Sequence, residues 1–270
     1  MRTPDFWFGP NSRSATLLAP LGCLYAAGGK IKRLLSKPYR AKVPVICVGN
    51  LVAGGAGKTP VVQALVRHLQ TLGRNPAILL RGYGGSETGP LRVDPLCHTA
   101  KEVGDEALLH ASMAPTWISA DRAAGAKAIL ADKADVIVMD DGFQNPGLYQ
   151  DLPILVIDGS TGFGNGHVIP AGPLREPMQD GLKRAKAVVL IGDDTAKVTP
   201  LLKDLPVFTA RIETENHDDF NGKNVVAFAG IGRPQKFFDS LNKAGAKIVM
   251  AFPFPDHHAY TGCEIEALLE

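Results

Sequence analysis

The segment that most constrains the fold is residues 49–60, GNLVAGGAGKTP. A continuous apolar run, VPVICVGN, leads into it, and the stretch TPVVQALVRHLQTLG follows it with apolar residues at helical spacing. A continuous apolar run is typical of a strand that is buried on both faces of a parallel sheet. A buried strand, a Gly-rich loop and a helix in this order predict a phosphate-binding loop.

The loop departs from the usual pattern G-x-x-x-x-G-K-[ST] at Val52, where a glycine is expected. The features that would contact phosphate are present, because glycine amides can point inward, Lys58 can neutralise charge and Thr59 can bind Mg²⁺. The alternative is a Gly-rich turn with an exposed lysine. We expect a nucleotide and Mg²⁺ as the ligands of this loop. The predicted nucleotide-binding residues are Gly54, Gly55, Ala56, Gly57, Lys58, Thr59 and Pro60.

The composition indicates an ordinary soluble globular protein. Of 270 residues, 45% are hydrophobic and 21% are charged, which supplies ample material for a core. The formal net charge of +2 gives no indication of nucleic-acid binding. The four cysteines are scattered without a C-x-x-C pair, which excludes a zinc ribbon and is consistent with a reducing compartment.

Strand-like and helical patterns alternate from residue 43 onward and predict a P-loop NTPase-like α/β fold with a doubly wound, mostly parallel sheet. The segment VFTARIETE alternates like an exposed or hairpin strand, and a fresh strand–helix–strand unit begins at VVAFAG. We therefore predict four regions. They are an N-terminal apolar and basic helical segment (1–42), the core (43–206), a linker or hairpin (207–222) and a smaller α/β domain (223–270).

The N-terminal segment is apolar over residues 15–29 and strongly basic over residues 30–42. The apolar part is too short to span a bilayer and is interrupted by Pro20 and Gly22. Two interpretations remain open from composition. The segment is either a helix packed on the body with a solvated basic face, or a helix at an anionic membrane surface.

Acidic and basic residues cluster in loops that follow the predicted strands. VIVMDDGFQ places Asp140 and Asp141 at a strand end, as expected of a Walker B acid, although a solvated turn is the alternative. The segments RGYGG, VGDE, GNGHVIPAGPLREP and PDHH add further charged residues. A base, a clamp and a base-orienting group for phosphoryl transfer are available among them, although a helix cap, a structural loop and solvated histidines are alternatives. The residues concerned are Asp105, Arg175, His257 and His258.

The six motifs, in this order and spacing, resemble the tetraacyldisaccharide 4'-kinase (lipid A 4'-kinase) family from about residue 44 to the end. The resemblance implies transfer of the γ-phosphate of ATP to the 4'-hydroxyl of a tetraacylated glucosamine disaccharide 1-phosphate. It also implies peripheral attachment to the cytoplasmic face of the bacterial inner membrane, with an anionic membrane surface as partner. No nucleic acid or obligate protein partner is expected. A lipid substrate favours the membrane-surface interpretation of the first helix.

The resemblance also implies roles for individual residues. Catalytic roles fall on Lys58, Asp105, Arg175 and His257, metal binding on Thr59, Asp140, Asp141 and Glu176, and substrate binding on Tyr83, Arg122 and Gln144. Two departures stand out. Asn145 occupies a position where members often have histidine, and we expect the chain to lack the family's C-terminal portion.

Two other functions remain as alternatives. A membrane-associated P-loop ATPase switch usually carries a second lysine near the start of the loop, where this chain has Ala53. A non-catalytic nucleotide-binding module would have no need of the additional charged loops.

Overall fold

A computed structural model describes residues 4–9, 12–213, 217–231, 234–255, 258 and 260–269. The chain divides into two compact units. The larger runs from Phe6 to Ala210, and the smaller is formed mainly by residues from Arg211 onward. Each unit contains a sheet of its own.

The larger unit is built on one eight-stranded sheet within residues 12–213, in the order β3-β4-β2-β5-β1-β6-β7-β8. Every neighbouring pair is parallel except β3 with β4. The strands are β1 (Val45–Gly49), β2 (Pro76–Leu80), β3 (Leu91–Arg92), β4 (Thr116–Ile118), β5 (Val136–Asp140), β6 (Leu152–Asp158), β7 (Ala187–Ile191) and β8 (Val207–Ala210). The predicted α/β fold with a mostly parallel sheet is confirmed.

Helices cover both faces of this sheet. Alternate residues of β1 enter two different core clusters, with Val45 and Cys47 on one side and Ile46 and Val48 on the other. Because both faces are buried, β1, β2 and β5 are apolar at nearly every position. The helices are α1 (Arg13–Leu35), α2 (Lys58–Thr71), α3 (Ala100–Val103), α4 (Asp105–Ala111), α5 (Arg122–Ala131) and α6 (Met178–Arg184).

The segment predicted as a linker or hairpin, 207–222, begins instead as part of the main sheet. Strand β8 pairs in parallel with β7, with Val188 opposite Val207 and Ile191 opposite Ala210. An edge strand has a neighbour on one side only, so its residues are partly exposed. The resulting alternation in the sequence is the same as that of an exposed hairpin strand, and only the pairing distinguishes the two.

Helix α1 is long and leaves much of its apolar surface exposed. Gly22 lies against the body, since a Cβ at this position would be 2.8 Å from the carbonyl oxygen of Val168. On other sides Leu17, Leu24 and Leu35 are 70–80% exposed. Within the described part of the chain, no helix combines the length and apolar content needed to cross a membrane.

The smaller unit contains a two-stranded parallel sheet. Strands β9 (Asn224–Ala229) and β10 (Lys247–Pro253) are joined through α8 (Pro234–Lys243), which packs on both. Ala227, Phe238 and Leu241 form the centre of its core. The remaining helices of this unit are α7 (His217–Phe220) and α9 (Gly262–Leu269).

Candidate active site

The Gly-rich loop connects β1 to α2 at the carboxyl edge of the sheet, where α/β proteins bind ligands. Gly54 and Gly57 adopt φ values of 112° and 79°, which side chains rarely tolerate. Gly57 directly precedes the first residue of α2, Lys58. The loop therefore has the conformation and the helix position that a phosphate-binding loop requires.

The structure explains why Val52 can replace a glycine at the start of the loop. Val52 is buried and forms an antiparallel bridge with Leu174. The Ala53 amide donates to the carbonyl of Pro173 at 2.7 Å, and the Arg175 amide donates to the carbonyl of Leu51 at 2.8 Å. The beginning of the loop is thus a short extended segment paired with the residues that lead to Arg175, and extended backbone accommodates valine readily.

Two cations meet at the carboxylate of Asp141. The Lys58 Nζ lies 3.6 Å from Oδ1, and the Arg175 guanidinium donates to both carboxylate oxygens at 2.8 and 2.9 Å. Burial alone would raise the pKa of Asp141, but the Lys58 and Arg175 charges outweigh it and hold the pKa below its ordinary value. Positive charge from two separate segments is therefore concentrated beside the loop.

Asp140 and Asp141 are adjacent in sequence but have different partners. Asp140 ends β5 in register with Val48 of β1, whereas Asp141 adopts a left-handed φ of 51°, which aspartate tolerates better than most residues. Asp140 Oδ2 lies 2.8 Å from Nε2 of His110, and both side chains are buried. No sequence motif predicts a role for His110. The one sequence feature that points to His110 is its four-residue spacing from Glu106, which places both side chains on one face of α4.

The described residues provide ligands for a nucleotide-bound Mg²⁺ but no complete protein cage. No group of three or more His, Cys, Asp and Glu residues among them is arranged to hold a metal. Such a cage is not needed, because Mg²⁺ in these sites takes most of its ligands from phosphates and water. Asp140 Oδ1 is buried without a hydrogen-bond partner in the described structure, and Thr59 lies in the first turn of α2. The carboxylate of Asp140 and the hydroxyl of Thr59 are both suitable oxygen ligands for Mg²⁺.

Asp105 lies close to the loop in space. It begins α4 and lines a cavity of about 440 Å³ together with Thr59 and Pro60. Its Oδ1 accepts a hydrogen bond of 2.9 Å from the Glu106 amide. Glu106 lines the same cavity, where burial first and the charge of Asp140 second raise its pKa. The VGDE segment therefore contributes two carboxyl groups beside the residues predicted to bind phosphate and metal.

Glu176 is surrounded by hydrogen-bond donors. It accepts from Arg33 of α1 at 3.1 Å, from Arg184 of α6 at 2.7 and 2.8 Å, and from Gln144 at 3.1 Å. Both carboxylate oxygens are occupied, so in this conformation Glu176 anchors α1 rather than presenting a free oxygen to a metal. Its predicted metal role stays a prediction. No sequence motif indicates that Glu176 pairs with Arg33 or Arg184.

The predicted substrate-binding residues lie in different environments. Tyr83 is 71% exposed, and the Gln144 amide bridges Glu176 and the carbonyl of Asn50. Arg122 is only 4% exposed and donates to the carbonyl of Ser119. Burial and the nearby Arg81 charge lower the pKa of Arg122 to about 10. The guanidinium of Arg122 is therefore held among protein groups in this conformation, and its predicted contact with the substrate stays a prediction.

Of the remaining predicted residues, one lies outside the described part of the chain and the others have local partners. His257 lies outside the described residues. His258, within the smaller unit, hydrogen-bonds Glu264 at 3.0 Å and stacks on Phe254. Asn145 accepts a 2.9 Å hydrogen bond from the Gly147 amide and so closes a local turn. At this position the asparagine has a clear conformational role.

A second cavity, of about 720 Å³, opens between α1 and the segment around Arg175. Its lining combines apolar and basic groups. Among the lining residues are Leu24, Tyr25, Leu34, Lys30, Lys183 and Arg184. Arg175 lines it too and also contacts Asp141, which in turn contacts Lys58. A continuous chain of charges therefore connects the Gly-rich loop to an amphipathic cavity.

The parallel sheet, the loop between β1 and α2, and the acid at the end of the adjacent β5 define a P-loop nucleotide-binding protein. Comparison with known families narrows this class. The chain belongs to the tetraacyldisaccharide-1-P 4'-kinase family, whose model matches residues 14–270. The resemblance inferred from the six motifs is therefore confirmed.

Individual relatives agree with this assignment. The tetraacyldisaccharide 4'-kinase of Rhodospirillum centenum is 52% identical over 277 residues, covering 100% of this chain and 82% of the relative. The corresponding protein of Gluconacetobacter diazotrophicus is 53% identical over 271 residues, covering 99% and 83%. The crystal structure of LpxK from Aquifex aeolicus in complex with ATP matches with a TM-score of 0.75 and 30% identity, covering 92% of this chain and 84% of that one.

Proposed function

We propose that the protein is an ATP-dependent lipid kinase that phosphorylates the 4'-hydroxyl of a tetraacylated disaccharide 1-phosphate in lipid A biosynthesis. Membership of the 4'-kinase family supports the reaction, and the ATP complex of the Aquifex relative supports the phosphate donor. The structural observation that carries the proposal is the convergence of Lys58 and Arg175 on Asp141 beside the loop. Two fixed cations at this position can stabilise the charge on a phosphoryl group in transfer.

The residues of this chain have distinct tasks in the proposed reaction. Loop amides and Lys58 bind the phosphates, and Arg175 clamps the transferred group. Bound Mg²⁺ would neutralise charge on the β- and γ-phosphates, with Thr59 and Asp140 as its protein contacts. Asp105 lines the adjacent cavity and accepts the proton of the attacking hydroxyl.

The amphipathic cavity beside α1 has the chemistry of the proposed acceptor. Its leucines and Tyr25 suit acyl chains, whereas its lysines and Arg184 suit an anionic sugar phosphate. Because Arg175 lines this cavity and contacts Asp141, an acceptor placed there lies next to the nucleotide site. Arg175 can then contact both the acceptor and the transferred phosphate.

Helix α1 supports peripheral attachment to the cytoplasmic face of the inner membrane. Leu17, Leu24 and Leu35 are exposed on the helix, and Lys30 and Lys37 are exposed at its C-terminal end and just beyond. Exposed apolar side chains next to lysines are typical of helices that lie at anionic lipid surfaces. We propose that α1 brings the cavity to the level of the lipid head groups.

The decisive experiment measures transfer of labelled γ-phosphate from ATP to a tetraacyldisaccharide 1-phosphate in mixed micelles. We expect a phosphorylated lipid, with little ATP hydrolysis when the acceptor is omitted. Equal hydrolysis with and without acceptor, and no labelled lipid, would instead establish an ATPase switch.

A further inference from the structure

His110 and Asp140 form a buried polar pair that the proposed chemistry does not yet use. The two residues lie 30 positions apart, on α4 and at the end of β5. His110 is fully buried and Asp140 is 2% exposed. An ionised carboxylate only accepts hydrogen bonds, so in a hydrogen bond to an ionised Asp140 the donor is Nε2 of His110.

One oxygen of this carboxylate remains without a protein partner. Asp140 Oδ1 is buried, and no group in the described structure donates a hydrogen bond to it. Buried polar atoms normally have partners, because leaving one unpaired is costly. Asp140 is in register with Val48, just before the phosphate-binding loop, so the unpartnered oxygen belongs to a residue beside that loop.

We propose that His110 is a positioning residue, which fixes the Asp140 carboxylate through Oδ2 so that Oδ1 meets the metal–nucleotide complex. The proposal rests on the proposed function, since the loop must hold a divalent cation with ATP. Groups that orient a metal-contacting carboxylate typically change metal affinity by about 10–100-fold when removed.

Because His110 lies on α4, its hydrogen bond to Asp140 also connects this helix to β5. Glu106 lies one turn earlier on the same helix, and burial first and the charge of Asp140 second raise its pKa. The pair therefore also ties α4, which begins with Asp105, to the end of β5. His110 holds the proposed base and the proposed metal contact on one rigid frame.

The test measures Mn²⁺ binding by electron paramagnetic resonance in the presence of a non-hydrolysable ATP analogue, using full-length variants. His110→Leu removes the donor at similar volume, and His110→Gln retains an N–H donor. We expect His110→Leu to weaken Mn²⁺ binding about 10-fold or more and His110→Gln to restore most of the affinity. His68→Leu, on the exposed face of α2, is the matched control and should bind Mn²⁺ as the wild type does.

A merely structural role predicts a different pattern. A folded His110→Leu variant with lowered melting temperature but wild-type Mn²⁺ affinity at low temperature overturns the proposal. An Asp140→Asn background provides a second criterion, because there His110→Leu should weaken Mn²⁺ binding no further. An additional full-sized loss in that background also overturns it.

Failure of the proposed function remains distinguishable from failure of this proposal. Absence of lipid phosphorylation by a wild-type protein that binds Mn²⁺ and nucleotide contradicts only the kinase reaction. Absence of Mn²⁺–nucleotide binding by the wild type contradicts both.

Discussion

Gly49 lies directly against Phe143, so that a Cβ on Gly49 would be 2.5 Å from the Cβ of Phe143. Gly49 ends β1 at the start of the phosphate-binding loop, and Phe143 belongs to the DDGFQ segment after β5. The Phe143 ring is in turn covered by the guanidinium of Arg184 at 4.7 Å. This close contact sets the distance between the loop and the two aspartates.

Gly49→Ala should destabilise the protein by about 1–3 kcal/mol, because an added methyl group must push two packed segments apart. Chemical denaturation measures the change. Gly28→Ala is the control, since nothing lies within 4 Å of a Cβ there and the residue is inside α1. We expect the control to leave stability unchanged or to raise it by about 0.5–1 kcal/mol. Equal stabilities of the two variants would contradict the packing interpretation.

Lys58→Ala should reduce phosphoryl transfer by at least about 10²-fold, because it removes the loop's positive charge from the transition state. Steady-state transfer assays measure the loss. Lys101→Ala, an exposed lysine on α3, should retain wild-type activity. Wild-type turnover by Lys58→Ala would remove the basis of the phosphate-site assignment.

Asp105→Asn distinguishes a base from a helix-terminal hydrogen bond. Asparagine can still accept the hydrogen bond from the Glu106 amide, but it cannot take a proton from the acceptor hydroxyl. We expect Asp105→Asn and Asp105→Ala to lower kcat alike, by ~10²–10⁴-fold. ATP affinity, measured by calorimetry, should stay nearly constant in both. Activity retained by Asp105→Asn but lost by Asp105→Ala would show that the residue only orders α4.

Glu106→Gln should stabilise the protein near neutral pH but not in acid. Burial and the charges of Asp140, Asp105 and Asp141 raise the pKa of Glu106 against the opposing effect of Lys58. Its carboxyl group therefore ionises more readily in the unfolded chain, and stability falls as pH rises from the unfolded pKa, about 4.3, towards the folded one. Melting temperatures of both proteins at pH 4 and pH 7 measure the difference. If the two proteins differ in melting temperature by the same amount at pH 4 and at pH 7, the raised pKa of Glu106 is contradicted.

Lys30→Gln with Lys37→Gln should weaken binding to vesicles that contain anionic lipid. Each charge near the surface contributes about 1 kcal/mol, or roughly fivefold in Kd, and the effect should shrink with added salt. A matched pair of substitutions, Lys101→Gln with Lys203→Gln, changes net charge equally outside the basic segment. If both double variants lose the same amount of vesicle affinity, vesicle binding depends only on the net charge of the protein.

Local sequence patterns determined the fold class and the location of the nucleotide site. Continuous apolar runs specify strands that are buried on both faces, and the glycines before Lys58 supply the positive φ values that the loop needs. These features act over a few residues, so the sequence alone reveals them. The motifs then indicated the family, and through it the lipid kinase reaction.

Tertiary structure alone decided which charged groups meet. Strand order places β5 beside β1, which brings Asp141 to Lys58 and to Arg175, 34 residues later. The same order pairs Asp140 with His110, although the two aspartates are equivalent in the sequence pattern. It also places β8 in the main sheet. Contacts of this kind depend on how segments that are distant in the sequence pack together. Residue spacing along the chain therefore does not predict them.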